Sequence, residues 1–152
     1  MKITPFLWFS GNAEEAMNFY VSIFKDAKVL SVNRKDGKVF TATFELLAQQ
    51  FMVLNAKPLF KFTEAISFFV NCETQEEVDE LWEKLSAGGE QSRCGWLKDK
   101  FGLWWQIIPE ALGKLMSDSD PKRSKAVFQA MMKMNKIVIA DLQSAYEGRT
   151  AA

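Results

Sequence analysis

The chain has 152 residues, 48% of them hydrophobic, which suits one folded domain with a sizeable core and argues against disorder. Its 19 basic and 19 acidic residues cancel and no basic cluster stands out, so the electrostatic attraction behind nucleic-acid binding is missing. No apolar run approaches the ~20 residues that span a bilayer, and the absence of His excludes Ser-His and Cys-His nucleophile pairs and His-bearing zinc sites.

Ile3-Thr4-Pro5-Phe6-Leu7-Trp8-Phe9 reads as a strand that begins near Pro5. Ser10-Gly11-Asn12 is a turn, and Asn12 is placed to cap a helix with Glu14 and Glu15 in its first turn. That helix runs to about Phe24, with Ala16, Phe19, Tyr20 and Ile23 forming one buried stripe. A strand over 28–33, an Asp36-Gly37 hairpin turn, a strand over 39–46 and another over 50–55 follow. Residues 56–63 are a connection.

A strand from Ala65 to Val70 restarts the pattern. Thr74 caps the next helix, which Gly88-Gly89 closes at Ala87. An aromatic hairpin comes next: Asp99-Lys100-Phe101-Gly102 supplies the turn, Leu103 to Ile108 the buried strand, and Pro109 its end. Lys98, Asp99 and Lys100 are expected to be a solvated turn. The helix beginning at Ala13 lines up without gaps on the one beginning at Gln75, each preceded by a hydrophobic strand, which marks an internal repeat.

Asp120 and Pro121 open a further helix to Met134, with Val127, Met131 and Met134 on one side. A last helix spans Ile139 to Tyr146, and Arg149 to Ala152 are expected to fray. The methionines Met131, Met132 and Met134 offer either an adaptable partner surface or packing against the domain's own sheet, the second being the simpler account. Cys72 and Cys94 sit in no motif, which fits reduced thiols; with no signal-peptide pattern at the N-terminus, a cytoplasmic setting is expected.

A strand-helix-three-strand unit occurring twice, with a Glu-Glu pair opening the first helix, resembles the vicinal-oxygen-chelate superfamily. Ile3-Thr4-Pro5-Phe6-Leu7-Trp8-Phe9, Ala13-Glu14-Glu15-Ala16, Phe19-Tyr20, residues 60–68 and Cys94-Gly95-Trp96-Leu97-Lys98-Asp99-Lys100-Phe101-Gly102 resemble its PhnB-like group, often labelled 3-demethylubiquinone-9 3-methyltransferase. The likeness is read as covering nearly the whole chain, tail included. It implies an α+β fold: two tandem βαβββ modules forming a curved mixed sheet around a cavity, plus C-terminal helices. The expected organisation is one domain over 1–152, with module one at 1–56, module two at 64–109 and a helical tail at 110–148.

In metal-dependent relatives such as glyoxalases and extradiol dioxygenases, corresponding strands of the two units supply the ligands. Carrying those positions over places Pro5, fourteen residues before Phe19, at the first, Ala65 at the second, and Gln106, four residues after the turn glycine, at the last. Asn55 stands at or near the remaining one. Pro and Ala side chains cannot coordinate a cation, and a neutral amide replaces a carboxylate poorly, so no metal and no cofactor are expected.

Strand alternation then sorts the residues. Pro5, Leu7 and Phe9 share a face, as do Ala65, Ser67 and Phe69, and Trp104, Gln106 and Ile108. These faces are expected to line the cavity, while Trp8, Ile66, Phe68 and Trp105 meet the helices. The expected binding residues are Pro5, Leu7, Asn55, Ala65, Ser67, Trp104 and Gln106, an aromatic wall with a few polar anchors. The competing account is a filled core in which Gln106 bonds neighbouring backbone. Cys94 as nucleophile lacks a His to activate it, and nothing in their spacing brings Glu45 and Glu64 together as an acid-base pair.

Three functions remain open from the sequence. One is a metal-independent small-molecule binder, as in bleomycin-resistance proteins. Another is an enzyme of the superfamily, a metal-dependent lyase or dioxygenase or the methyltransferase of the label, although no Gly-rich nucleotide loop supports the last. The third is an interaction module with a vestigial cavity. A small-molecule ligand and a homodimer are the expected partners, with neither nucleic acid nor membrane.

Overall fold

The computed structural model describes residues 1–149. Of the four residues expected to fray, Thr150 to Ala152 lie outside the described residues. Over the described residues the fold is α+β, with two four-stranded mixed sheets and five helices, divided into two compact units that meet in sequence between Lys61 and Phe62.

In the first unit the order is β1 (Phe6–Phe9), α1 (Ala13–Ile23), β2 (Lys28–Lys35), β3 (Lys38–Leu46) and β4 (Gln49–Asn55). The sheet runs β1-β4-β3-β2, with β1 parallel to β4 and the other pairs antiparallel. One face is closed by α1, where Tyr20 stacks on Phe44 at 6.2 Å and Phe44 on Phe51 at 5.4 Å. Leu7, Val53 and Ala42 share that face and are all buried. Each side chain of this kind contributes roughly 1.5–3 kcal/mol by leaving water. A bulge at Phe40 lets both Val39 and Ala42 point inward although two residues lie between them. Asp36 and Gly37 both take positive φ, as their hairpin turn requires.

The second unit repeats the topology with β5 (Ser67–Cys72), α2 (Gln75–Ser86), β6 (Glu90–Gln91), β7 (Trp96–Lys98) and β8 (Trp104–Pro109), in the sheet order β5-β8-β7-β6. Its helix-facing row includes Val70, Cys72, Trp105, Ile107 and Leu97, all buried. The strand expected from Ala65 begins two residues later, because Ala65 and Ile66 are exposed in a turn.

The expectation of a solvated turn at Lys98 to Lys100 fails at its centre. Asp99 is 1% exposed, and its carboxylate accepts hydrogen bonds from Phe101 N at 2.8 Å, Leu103 N at 3.0 Å and Trp105 Nε1 at 2.9 Å. The charge is stabilised by donors gathered around it, which is how a carboxylate is kept out of water. Gly89 packs against this loop: a Cβ there would lie 2.1 Å from the Lys98 carbonyl oxygen.

The tail forms α3 (Glu110–Met116), α4 (Pro121–Met131) and α5 (Ile139–Tyr146). Asp120 caps α4 through Lys122 N at 2.9 Å, with Pro121 in the first turn. Ile108, Leu112, Val127, Ile137 and Leu142 make its core, with Met131 and Met134 packed on it, while Met132 stays 47% exposed. Gln75 ties the tail to α2, donating to the Ile137 carbonyl at 3.1 Å and accepting from Ile139 N at 2.8 Å. Gly95 N donates to the Asn135 carbonyl at 2.7 Å, and a Cβ on Gly95 would come within 2.6 Å of Ile108 Cδ1.

Candidate functional site

Alternation in the second sheet leaves one face away from α2, and the ladder arranges that face in rows. Phe69, Gln106 and Trp96 form one row, since Gln106 pairs with both of the others. Ser67, Trp104 and Lys98 form the row before it, and Asn71 and Ile108 the row after. Trp96 and Trp104 meet edge-on at 6.4 Å, and the Lys98 ammonium sits 5.7 Å from the Trp104 ring centre, tethered to Glu90 at 2.7 Å.

Gln106 is half-buried in the middle of these aromatics. Its Nε2 donates to Ser67 Oγ at 2.8 Å, and among the described residues nothing donates to its Oε1. An acceptor is therefore presented beside a hydroxyl whose own proton is free to donate. A groove of about 600 Å³ opens against this face. Phe69, Asn71, Trp96, Gln106 and Ile108 form its sheet side; Glu110, Gly113, Lys114 and Met116 of α3 and Met131 of α4 form the other. The charges there are matched, with Lys114 on Glu110 at 2.9 Å and Asn71 Nδ2 on Glu110 at 3.4 Å.

Of the residues expected to bind, Ser67, Trp104 and Gln106 come together here. The first-unit residues do not follow the expected sorting. Leu7 and Phe9 point into the α1 core, while Phe6 and Trp8 occupy the opposite face; Trp8 stacks edge-on with Phe60 at 5.1 Å and donates to the Lys57 carbonyl. Pro5 lies just before β1, its carbonyl accepting from Met52 N at 2.9 Å. The physical reason is spacing: three residues separate β1 from α1 but two separate β5 from α2, and a one-residue change moves a strand's whole set of side chains to the other face.

Asn55 is a structural bracket. Its Oδ1 accepts from Gly11 N at 3.0 Å and Ala13 N at 2.9 Å, and its Nδ2 donates to the Val39 carbonyl at 2.9 Å. The expected cap Asn12 makes no side-chain capping bond, so a strand amide remote in sequence takes its place. Ala65 is exposed in a turn rather than set in a strand.

Trp96 and the α3 residues were missed. The hairpin turn did contain the signal for Trp96, because a register fixed at Asp99–Leu103 sets Trp96 opposite Gln106; nothing in the sequence pointed to α3. Cys94 has a positive φ of 57° and its Sγ lies 3.8 Å from Met132 Sδ, whereas burial, with the Glu77 charge adding, pushes the Cys72 thiol up to about 11 and keeps it an inert neutral thiol. Glu45 pairs with Lys28 at 3.1 Å and is thereby accounted for within its own sheet.

The first unit has its own polar hollow of about 790 Å³ beside the Asp36-Gly37 turn. Glu14 on its rim is engaged by Arg34, whose hydrogen bonds hold the carboxyl below its usual range. A divalent metal does not fit the side chains present: the chain has no His, and no three Cys, Asp or Glu gather among the described residues. No described helix is long and apolar enough to cross a membrane.

Comparison with known proteins adds the following. The family model for 3-demethylubiquinone-9 3-methyltransferase matches residues 1–108. Among solved structures, a putative 3-demethylubiquinone-9 3-methyltransferase, PhnB protein, from Bacillus cereus is 41% identical with a TM-score of 0.68, over 72% of this chain and 99% of that one. Protein PA1353 from Pseudomonas aeruginosa is 22% identical at a TM-score of 0.60, over 72% and 98%. The fosfomycin resistance protein FosX from Listeria monocytogenes, crystallised with Mn(II) and sulfate, is 16% identical at a TM-score of 0.50, over 68% and 86%. No curated protein matches. The expectation that the likeness extends through the tail is corrected by the family model, which stops at Ile108.

Proposed function

We propose a function on one premise: the chain belongs to the 3-demethylubiquinone-9 3-methyltransferase family and has the glyoxalase/bleomycin-resistance, or vicinal-oxygen-chelate, fold. It binds a small molecule without a metal, on the open face of the second sheet, with Trp96, Trp104, Phe69, Ser67 and Gln106 as the contact groups. The observation that carries this is the Gln106 amide, held by Ser67 at 2.8 Å and offering an unused acceptor amid aromatic side chains. Small-molecule sites combine an apolar wall with a few fixed polar groups in this way. The donor set supports the metal-free part of the reading.

Melting shifts against a metabolite panel test it. A ligand should raise the midpoint equally with and without divalent cations, and Gln106→Leu should remove the shift while leaving the unliganded midpoint nearly unchanged. One tightly bound divalent ion per chain after chelator-free purification would overturn it. We also propose a homodimer in a cytoplasmic setting. Strand β2 is exposed on both faces at its sheet edge, with Val29, Leu30 and Val32 at 40%, 42% and 37%, and such an edge invites pairing with another chain. Light scattering at the mass of one chain would exclude the dimer.

A further inference from the structure

Resting on that binding reading, we infer that the tail helix α3 is a second wall of the ligand groove, and that Gly113 sizes it for a neutral, fused two-ring aromatic bearing a hydroxyl. The family model ends at Ile108, and 72% of this chain accounts for 99% of the Bacillus cereus protein. Everything from Glu110 onward is thus added to what the family model describes. The added segment does not pack away from the site. It supplies Glu110, Gly113, Lys114, Met116 and Met131 to the groove that Gln106 and Trp96 face.

Gly113 is the informative residue. Glycine inside a helix is unfavourable relative to alanine, so it needs a reason. Crowding does not supply one, because a Cβ built there meets nothing within 4 Å. Its φ is not positive either, so no turn demands it. What the missing side chain does is leave the α3 backbone open to the groove, so that a flat molecule can lie between helix and sheet.

The ligand's chemistry follows from the two walls. Phe69, Trp96, Ile108, Met116 and Met131 suit an apolar, polarisable body. Lys114 and Glu110 neutralise each other at 2.9 Å, leaving no net charge to match, so the ligand is neutral. Gln106 Oε1 takes a hydrogen bond and the Ser67 hydroxyl gives one, which a single hydroxyl on the ligand satisfies from both sides. From the Gln106 row to the Ile108 row the strand advances about 7 Å, the length of two fused rings rather than one.

Quenching of tryptophan fluorescence by 2-naphthol, with phenol as the one-ring control, tests the assignment on the full chain. Gly113→Leu should weaken 2-naphthol at least about tenfold and phenol less than about twofold. Gly113→Ala should give an intermediate loss with an unchanged or higher melting midpoint, which keeps the test decisive if the leucine variant folds poorly. If both Gly113 variants fold and bind 2-naphthol like the parent while Gln106→Leu weakens it, the wall is refuted and the binding face stands. If 2-naphthol does not quench the parent chain at all, or if Gln106→Leu is also without effect, the inference fails together with this use of the face.

Discussion

The two modules share one topology and solve the same local problems by different means. In the first, the start of α1 is held from a distance, by Asn55 at the end of β4. In the second, α2 is capped from within: Thr74 Oγ1 accepts from Glu77 N at 3.2 Å, and the Glu77 carboxylate accepts from Glu73 N at 2.8 Å. The strand turns differ as much. Leu47 and Ala48 make a two-residue turn with φ of 48° and 64°, strained for residues with a side chain, whereas Asp99 organises a longer turn through three side-chain bonds. Repetition of a fold therefore fixes the path of the chain and leaves the stabilising chemistry free to diverge. Among the described residues, the second module also carries a helical tail beside its open face.

Asp99→Ala should have the largest effect, about 3–5 kcal/mol, since it strands two backbone donors and the Trp105 indole in the core. Urea unfolding measures it; a loss below 1 kcal/mol would mean the turn does not depend on the carboxylate. Next, Asn55→Ala should cost about 2–3 kcal/mol and Thr74→Ala about 1 kcal/mol, a difference that reflects a remote bracket against a local cap. Equal losses would erase the contrast between the modules. In the opposite direction, Ala48→Gly should stabilise by about 0.5–1 kcal/mol by relieving positive φ.

The smallest expected effect is on acid sensitivity of the tail. Hydrogen bonds from Lys136 and then Gln75 hold the Asp79 carboxyl below its ordinary 3.8, and the Tyr146 hydroxyl and then the Asp120 backbone do the same for Asp118. A depressed folded-state value stabilises fully above the unfolded one, and that share disappears as pH falls through the folded one. Hydrogen-exchange protection factors at Val127 and Leu142, which divide out the pH dependence of intrinsic amide exchange, should thus drop once pH goes below the ordinary carboxylate range and stay flat near neutrality. Both carboxylates are only partly buried, so salt should shrink the difference.

Much was legible along the chain. The helix stripes, the Asp36-Gly37 turn, the Thr74 and Asp120 caps and the repeated strand-helix unit all follow from local rules, and the aromatic hairpin placed Gln106 and Trp104 on one face. The first-strand assignment was not legible, because the extra residue between Phe9 and Ala13 reverses the face of Leu7 without altering the hydrophobic pattern. Nor is the role of Asn55 legible, because an amide looks the same in sequence whether it meets a substrate or a helix terminus.

The amino-acid order by itself determined the family, the α+β class and the absence of any His, since these depend on periodicity, on motifs and on which residue types exist at all. Only the tertiary structure decided that Asp99 is buried, that Asn55 is a bracket and that α3 borders the groove at Gln106. Those facts arise from contacts between segments distant along the chain or from where a loop folds back, which no local spacing encodes.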